Sequence, residues 1–181
     1  MVTTITLIRH ASAETPKLKD ARVPGPPLTK TGEAQAQKTA QFLKGAKFTK
    51  IYTSTMQRAK DTAKIITVEK KIETEKLNEF NKIIFEEQPE HTDAFNDNML
   101  LALNTKSFFE QILREERDSK ILIIAHGNVI RYLICYALKI KHQKAPNIFI
   151  DNASITNLFF DGLDLVSVGC INSTAHLFLN E

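Results

Sequence analysis

The chain has 181 residues, the length of one domain and enough to bury a full core without disulfide or metal staples. It is 43% hydrophobic and 25% charged with only six Gly and six Pro, which excludes disordered, collagen-like and low-complexity classes. The net charge of +3 is too small and too dispersed to argue for nucleic acid or an anionic membrane as partner, and it leaves a small anionic substrate compatible.

Cys135 and Cys170 are the only cysteines, neither a disulfide framework nor a zinc site, and both read as packed thiols. The N-terminal apolar stretch reaches Arg9-His10 too soon for a secretory signal. Residues 129–140, the most apolar later stretch, contain Arg131 and are too short to span a bilayer. The expectation is a single cytoplasmic domain, residues 1–181, with no internal repeat or linker.

Residues 3–9 are β-branched and apolar and predict a buried strand ending at His10. Residues 11–28 hold four prolines and no helical period, and read as a surface loop. Thr29 or Thr31 caps a helix over about 32–44, with Ala34, Ala36, Ala40 and Leu43 inward and Gly45 ending it. A second strand over 50–53 leads through Ser54-Thr55 into a helix over 56–68 that buries Ala59, Thr62, Ala63 and Ile66. Residues 71–77 alternate, which suits a peripheral third strand stopped by Asn78-Glu79.

Residues 80–91 carry no clear pattern. Over 92–116, Phe95, Met99, Leu103, Phe108 and Leu113 fit one or two helices. Residues 121–125 are the most apolar strand and belong at the sheet centre, and a helix over 128–139 follows. Residues 154–160 and 165–170, split by Asp161-Gly162-Leu163-Asp164, predict a hairpin. The fold class is therefore α/β: a three-layer α/β/α sandwich around a mixed, mostly parallel sheet.

In such sheets ligands gather outside the carboxyl ends of the strands. Those positions hold Arg9 and His10, then Ser54, Thr55 and Arg58, then Glu79, then His126, Gly127 and Asn128. Guanidinium forks match phosphate oxygens, and two helix starts would aim backbone N–H groups at the same point. No cysteine lies at this rim, so an imidazole is the expected attacker: His10, with one ring nitrogen reaching phosphorus while an acceptor such as a backbone carbonyl holds the other. Glu79 would protonate the leaving alkoxide and later deprotonate water, and Arg9, Arg58 and His126 would neutralise the phosphoryl oxygens. Ser12 either offers its hydroxyl to the phosphate or only turns the loop, and Asn128, which opens a helix at the same rim, is expected to bind the substrate.

Four segments in order, Leu-Ile-Arg-His at 7–10, Tyr-Thr-Ser-Thr-Met-Gln-Arg-Ala-Lys-Asp-Thr-Ala at 52–63, Leu-Asn-Glu at 77–79 and Ala-His-Gly-Asn at 125–128, resemble the phosphoglycerate mutase-like histidine phosphatase superfamily. Residues 27–36, Pro-Leu-Thr-Lys-Thr-Gly-Glu-Ala-Gln-Ala, resemble the segment opening that family's first helix, so the likeness covers most of residues 3–140. It implies a phosphoglycerate mutase-like sandwich, a phosphohistidine on His10, a pocket of Arg9, Arg58 and His126, Glu79 as proton donor, and no metal or other cofactor. Ala11 departs from the family's usual Gly, which puts the pocket width in question, and Pro16 stands about where mutases carry a phosphate-binding Asn.

Only 46 residues separate Glu79 from His126, where mutases have a longer insertion over the site. The tail at 171–177 resembles the phosphatase branch, with Asn172, Thr174 or His176 expected near the pocket entrance. The reading is a phosphatase for a small phosphorylated substrate or a phosphoprotein. The alternatives are a phosphoglycerate mutase-type transferase, a protein phosphatase, and a phosphate-binding module with little turnover. His91, His142 and His176 lack metal-ligand spacing, residues 139–144 read as a solvated basic helix end, and no nucleotide-binding glycine loop occurs. Oligomeric state stays open.

Overall fold

The computed structural model describes residues 1–15, 25–87 and 92–179. Strand β1, Thr3–Arg9, occupies the predicted span, and its Ile5, Leu7 and Ile8 are wholly buried. Helix α1, Lys30–Phe42, starts at Thr29, whose hydroxyl accepts from the Gly32 N–H at 3.0 Å. Its buried face is Gly32, Ala36 and Thr39, and the predicted inward Ala34 is exposed. Ala34 lies about 200° around the helix from Ala36, on the side away from the buried face. Gly45 follows the helix with φ +86°, a left-handed conformation that suits glycine.

Strand β2, Lys50–Ser54, leads into α2, Gln57–Ile66, which buries Ala59, Thr62, Ala63 and Ile66 as its period predicts. Strand β3 is only Ile72–Thr74, shorter than expected, because residues 75–77 tighten into a 3₁₀ turn under the Thr74 hydroxyl. A second such turn spans 82–85 and buries Ile84 and Phe85, which gives the unassigned stretch its apolar core residues. Helix α3, Asp93–Glu115, is one continuous helix of 23 residues. It buries Phe95, Ala102, Thr105, Phe109, Ile112 and Leu113, while Leu103 is 47% exposed, contrary to its predicted inward place. Strand β4, Lys120–Ala125, α4, Gly127–Ala137, and the hairpin β5, Ile155–Asp161, with β6, Asp164–Ser173, complete the order.

The six strands run β3-β2-β4-β1-β5-β6. Pairs β2–β3, β2–β4 and β1–β4 are parallel, and β1–β5 and β5–β6 are antiparallel, so the sheet changes character at β1. β4 is central as predicted, and its side chains alternate between two cores. Ile121, Ile123 and Ala125 join Phe109, Leu133 and Phe160 on the α3–α4 side, whereas Leu122 and Ile124 join Ala59, Ala63 and Ile66 on the α2 side. Cys135 is buried in the first core, and Cys170 packs against the second; both are free thiols. Of the loop over 11–28, Ala13 bridges Leu28, while Pro16 and the rest of 16–24 fall outside the described residues, as does His91. Among the described residues no helix is long and apolar enough to cross a membrane.

Candidate active site

The parallel strands β1, β2 and β4 all end on one rim, and there the chain brings together residues far apart in sequence. Ladder bonds carry β1 one residue past its end: the His10 N–H donates to Ala125 O at 2.9 Å, which holds the imidazole beside the start of α4. The His10 and His126 rings lie 5.1 Å apart between centroids.

The His10 tautomer follows from its two partners. Ala11 O only accepts, so Nδ1 at 2.8 Å from it must carry the proton. The Arg58 Nε–H only donates, so Nε2, 3.0 Å away, must present its lone pair. The backbone-carbonyl orientation expected from sequence is present in the structure. Burial, with Arg58 and Arg9 adding, pushes the His10 pKa down to about 3 against the opposing pull of the Ala11 carbonyl. The imidazole is therefore neutral at physiological pH.

His126 is fully buried behind the pocket floor. Asn78 Oδ1 accepts from the Thr55 N–H at 3.1 Å and from the Ser54 hydroxyl at 2.6 Å, so Ser54 Oγ is left to accept from the His126 Nε2–H at 2.8 Å. Its Nδ1 is buried without a partner in the structure. Burial, then His10, Arg58 and Arg9, push the His126 pKa well below its ordinary range. Neither Ser54 as a tether nor Asn78 was singled out by the sequence for this task.

Arg9 donates through NH1 to Ile150 O at 2.6 Å, and its buried Nε has no partner in the structure. Burial lowers the pKa of Arg9 and of Arg58 below the ordinary guanidinium range, with Glu79 pulling each back up; both remain cationic. Glu79 moves oppositely. Burial raises its carboxyl to about 7, against the stabilising influence of Arg58, the Asn128 N–H and Arg9. The groups with the most displaced proton affinities thus share one cleft.

The cleft has a volume of about 360 Å³. Arg9, His10, Arg58 and Glu79 line it together with Ser12, Ala13, Glu14, Thr15, Pro26 and Asn152. Asn152 carries no charge and lies 142 residues from His10 in sequence, so nothing in the sequence ties it to the site; its Nδ2 donates to His10 O at 2.9 Å. Asn128 corrects the sequence expectation. Its side chain donates to Phe80 O at 2.9 Å and accepts from Arg131 at 3.2 Å, and its N–H donates to Glu79 at 3.1 Å, so it braces the acid and does not line the cleft. At the two helix starts the Met56 N–H donates to Ser54 Oγ at 3.1 Å and the Asn128 N–H to Glu79.

Ala11 is fully buried against Leu28, Ala36 and Ala153, so its methyl group fills a small core and does not narrow the cleft. The tail also differs from expectation. His176 is buried on α1, with Nε2 3.0 Å from the Thr39 hydroxyl, and Asn172 accepts from the Asp151 N–H; neither lines the entrance. Among the described residues no cluster of three or more His, Cys, Asp or Glu is placed to hold a metal ion.

The family model described as histidine phosphatase superfamily, branch 1, matches residues 5–170. The mitochondrial serine/threonine-protein phosphatase Pgam5 of Drosophila virilis is 32% identical over 164 residues, covering 83% of this chain and 57% of that protein. The chain spans little more than half the length of the curated relatives it matches. Among solved structures, phosphoserine phosphatase from Entamoeba histolytica in complex with 3-phosphoglyceric acid superposes with a TM-score of 0.80 at 21% identity, covering 97% of this chain and 100% of that one. Mycobacterial glucosyl-3-phosphoglycerate phosphatase gives 0.71 at 19%, covering 96% and 100%. At those identities the two structures speak to the fold.

Proposed function

The chain belongs to the histidine phosphatase superfamily, branch 1, and we propose on that footing that it is a phosphomonoester hydrolase that works through a phosphohistidine on His10. The observation that carries this reading is the fixed His10 tautomer, with Nδ1–H on the Ala11 carbonyl and the Nε2 lone pair at a cleft lined by two guanidiniums and a proton-bearing carboxyl.

In the empty site Arg58 Nε–H caps the His10 lone pair. An incoming phosphate dianion is the stronger acceptor, so Arg58 turns to the phosphoryl oxygens and uncovers Nε2. His10 Nε2 then bonds to phosphorus as the ester P–O bond breaks, and Glu79 gives its proton to the departing alkoxide oxygen. Arg9 and Arg58 balance charge on the three equatorial oxygens. The unpartnered His126 Nδ1 takes up a proton when the dianion arrives and becomes a further donor. In the second half, Glu79 as carboxylate removes a proton from water, the water oxygen bonds to phosphorus, and the P–N bond returns its electron pair to His10.

Hydrolysis is favoured over intramolecular transfer because only 46 residues lie between Glu79 and His126, leaving little chain to shut water out. A protein substrate is the second reading. The identity to the Drosophila protein phosphatase supports it. The test is phosphate release from p-nitrophenyl phosphate, 3-phosphoglycerate and phosphoserine and phosphothreonine peptides, with acid-labile phosphoenzyme trapped from rapid-quench samples. Hydrolysis lost in His10→Ala, together with the trapped label, is expected. Retained hydrolysis in that variant removes His10 as nucleophile, and isomerisation of phosphoglycerate outrunning phosphate release reinstates the mutase.

A further inference from the structure

Every backbone polar group of residues 10–12 is engaged, and the remote partners come from β4, α1, α2 and the loop before β5. The peptide joining His10 to Ala11 is gripped at both ends: its N–H donates to Thr62 Oγ1 at 3.0 Å and its carbonyl accepts from Asn152 Nδ2 at 2.9 Å. The next peptide is gripped too. Its N–H, on Ser12, donates to Gln35 Oε1 at 2.9 Å, and its carbonyl, on Ala11, is the acceptor that holds His10 Nδ1–H. The Ser12 carbonyl accepts from the Thr29 N–H at 3.0 Å.

A peptide is planar, with N–H and C=O pointing oppositely, so fixing the Ser12 N–H fixes the direction of the Ala11 carbonyl. Gln35 on α1 therefore sets the acceptor that selects the His10 tautomer. Thr62 acts from α2 at the neighbouring peptide, and its own proton goes to the Arg58 carbonyl at 2.7 Å. Thr62 is fully buried, with one donor on its oxygen and one acceptor for its hydrogen, so the hydroxyl has no alternative partner in water. One oxygen thus links the main chain of the nucleophile loop to the turn of α2 that carries Arg58, the residue donating to His10 Nε2.

Resting on the phosphohistidine reading above, we propose that Gln35 and Thr62 are positioning residues for the reaction, a clamp from two helices that holds the loop at 10–12 so that His10 keeps its Nε2 lone pair toward the cleft. Neither touches the reacting atoms in this assignment; each acts through a peptide plane. A displacement of about 1 Å of a reacting group costs on the order of 100-fold in rate, which is the scale open to such a clamp.

The experiment compares Gln35→Met, Thr62→Val and Thr62→Ser with the wild type in two measurements. Steady-state kinetics on an aryl phosphate should show kcat down ten- to a hundredfold in the Met and Val variants with KM within about twofold, and the Ser variant near wild type. Nitrogen-15 NMR of the His10 ring in the empty protein should show one protonated and one bare nitrogen in the wild type and in Thr62→Ser, and averaged nitrogen shifts in Gln35→Met and Thr62→Val. Wild-type kcat and unaltered ring shifts in Gln35→Met would overturn the clamp. If Thr62→Val does not fold, Gln35→Met, at a partly exposed position, decides alone. A wild type that hydrolyses no phosphomonoester overturns the phosphatase reading and leaves the NMR comparison to judge the clamp separately.

Discussion

Glu79 combines two properties that solvent would keep apart: a carboxyl proton held up to about 7 and a place beside two guanidiniums. Desolvation outweighs the cations, because the carboxylate would lose its hydration while Arg9 and Arg58 also answer to other partners. Glu79→Gln keeps the acceptor for the Asn128 N–H and removes the transferable proton. It should slow phosphoenzyme formation, read as kcat/KM, by at least about 100-fold for alkyl phosphates and by less than tenfold for p-nitrophenyl phosphate, since the aryl oxide leaves unaided; hydrolysis of the phosphoenzyme, which needs the Glu79 carboxylate, slows alike for both. In the wild type, kcat/KM for alkyl esters should fall as pH rises through about 7, with no limb from His10 until far below neutrality. Equal slowing of phosphoenzyme formation from both esters would remove Glu79 as the acid. The charged members of the site were legible because each follows a strand end. Ser54, Asn78, Thr62, Gln35 and Asn152 were not assigned these tasks, because a neutral polar side chain reads the same at any surface turn, and their partners lie 23 to 142 residues away.

Helix α1 is the element on which the site leans most. A Cβ at Gly32 would lie 1.9 Å from Ser12 O, so the first turn rests on the nucleophile loop with no room for a methyl group. Gly32→Ala must lift the helix or push the loop, either of which breaks the Thr29–Ser12 bonds. Overpacking of this kind costs about 1–3 kcal/mol. Denaturant unfolding should show that loss, and kcat should drop with it, although a helix propensity scale ranks Ala above Gly. Unchanged stability would mean that the contact is slack. The inward face predicted for α1 was partly wrong because it followed apolar character and not period: Ala34 lies about 200° around the helix from Ala36, which turns it to the exposed side. β4 was read well because it is a short unbroken apolar run buried on both faces, and α2 because its burial repeats at 3.6 residues. The 3₁₀ turns at 75–77, 82–85 and 142–147 were missed, since three to six residues are too few to display a period.

For the whole molecule, the cleft works against stability in a way that pH can expose. Glu79 has a higher pKa folded, about 7, than its ordinary 4.5, so the native state holds the extra proton between those values and stability falls as pH rises through them. His10 runs the other way: its folded pKa of about 3 lies below 6.5, and stability is lost as pH falls from 6.5 toward 3. The two oppose each other between 4.5 and 6.5, and above that only Glu79 acts. The gap at Glu79 corresponds to on the order of 3 kcal/mol at pH 8. Glu79→Gln should therefore melt several degrees above the wild type at pH 8 and level with it at pH 4, whereas an equal offset at both would trace the gain to packing.

Inorganic phosphate tests the same balance from the ligand side. Arg9 and Arg58 line the cleft with their hydration reduced by burial, and an anion there gives both a charged partner; His126, its buried Nδ1 unpartnered, lies behind them. Phosphate at ten times its Kd should stabilise the native state by about 1.4 kcal/mol, and the rise in Tm should grow with the logarithm of its concentration. Arg58→Gln removes a cation from the cleft and should flatten that response while leaving both hydrophobic cores untouched. A Tm that rises equally in both proteins would trace the effect to ordinary salt stabilisation and leave the cradle without its anion.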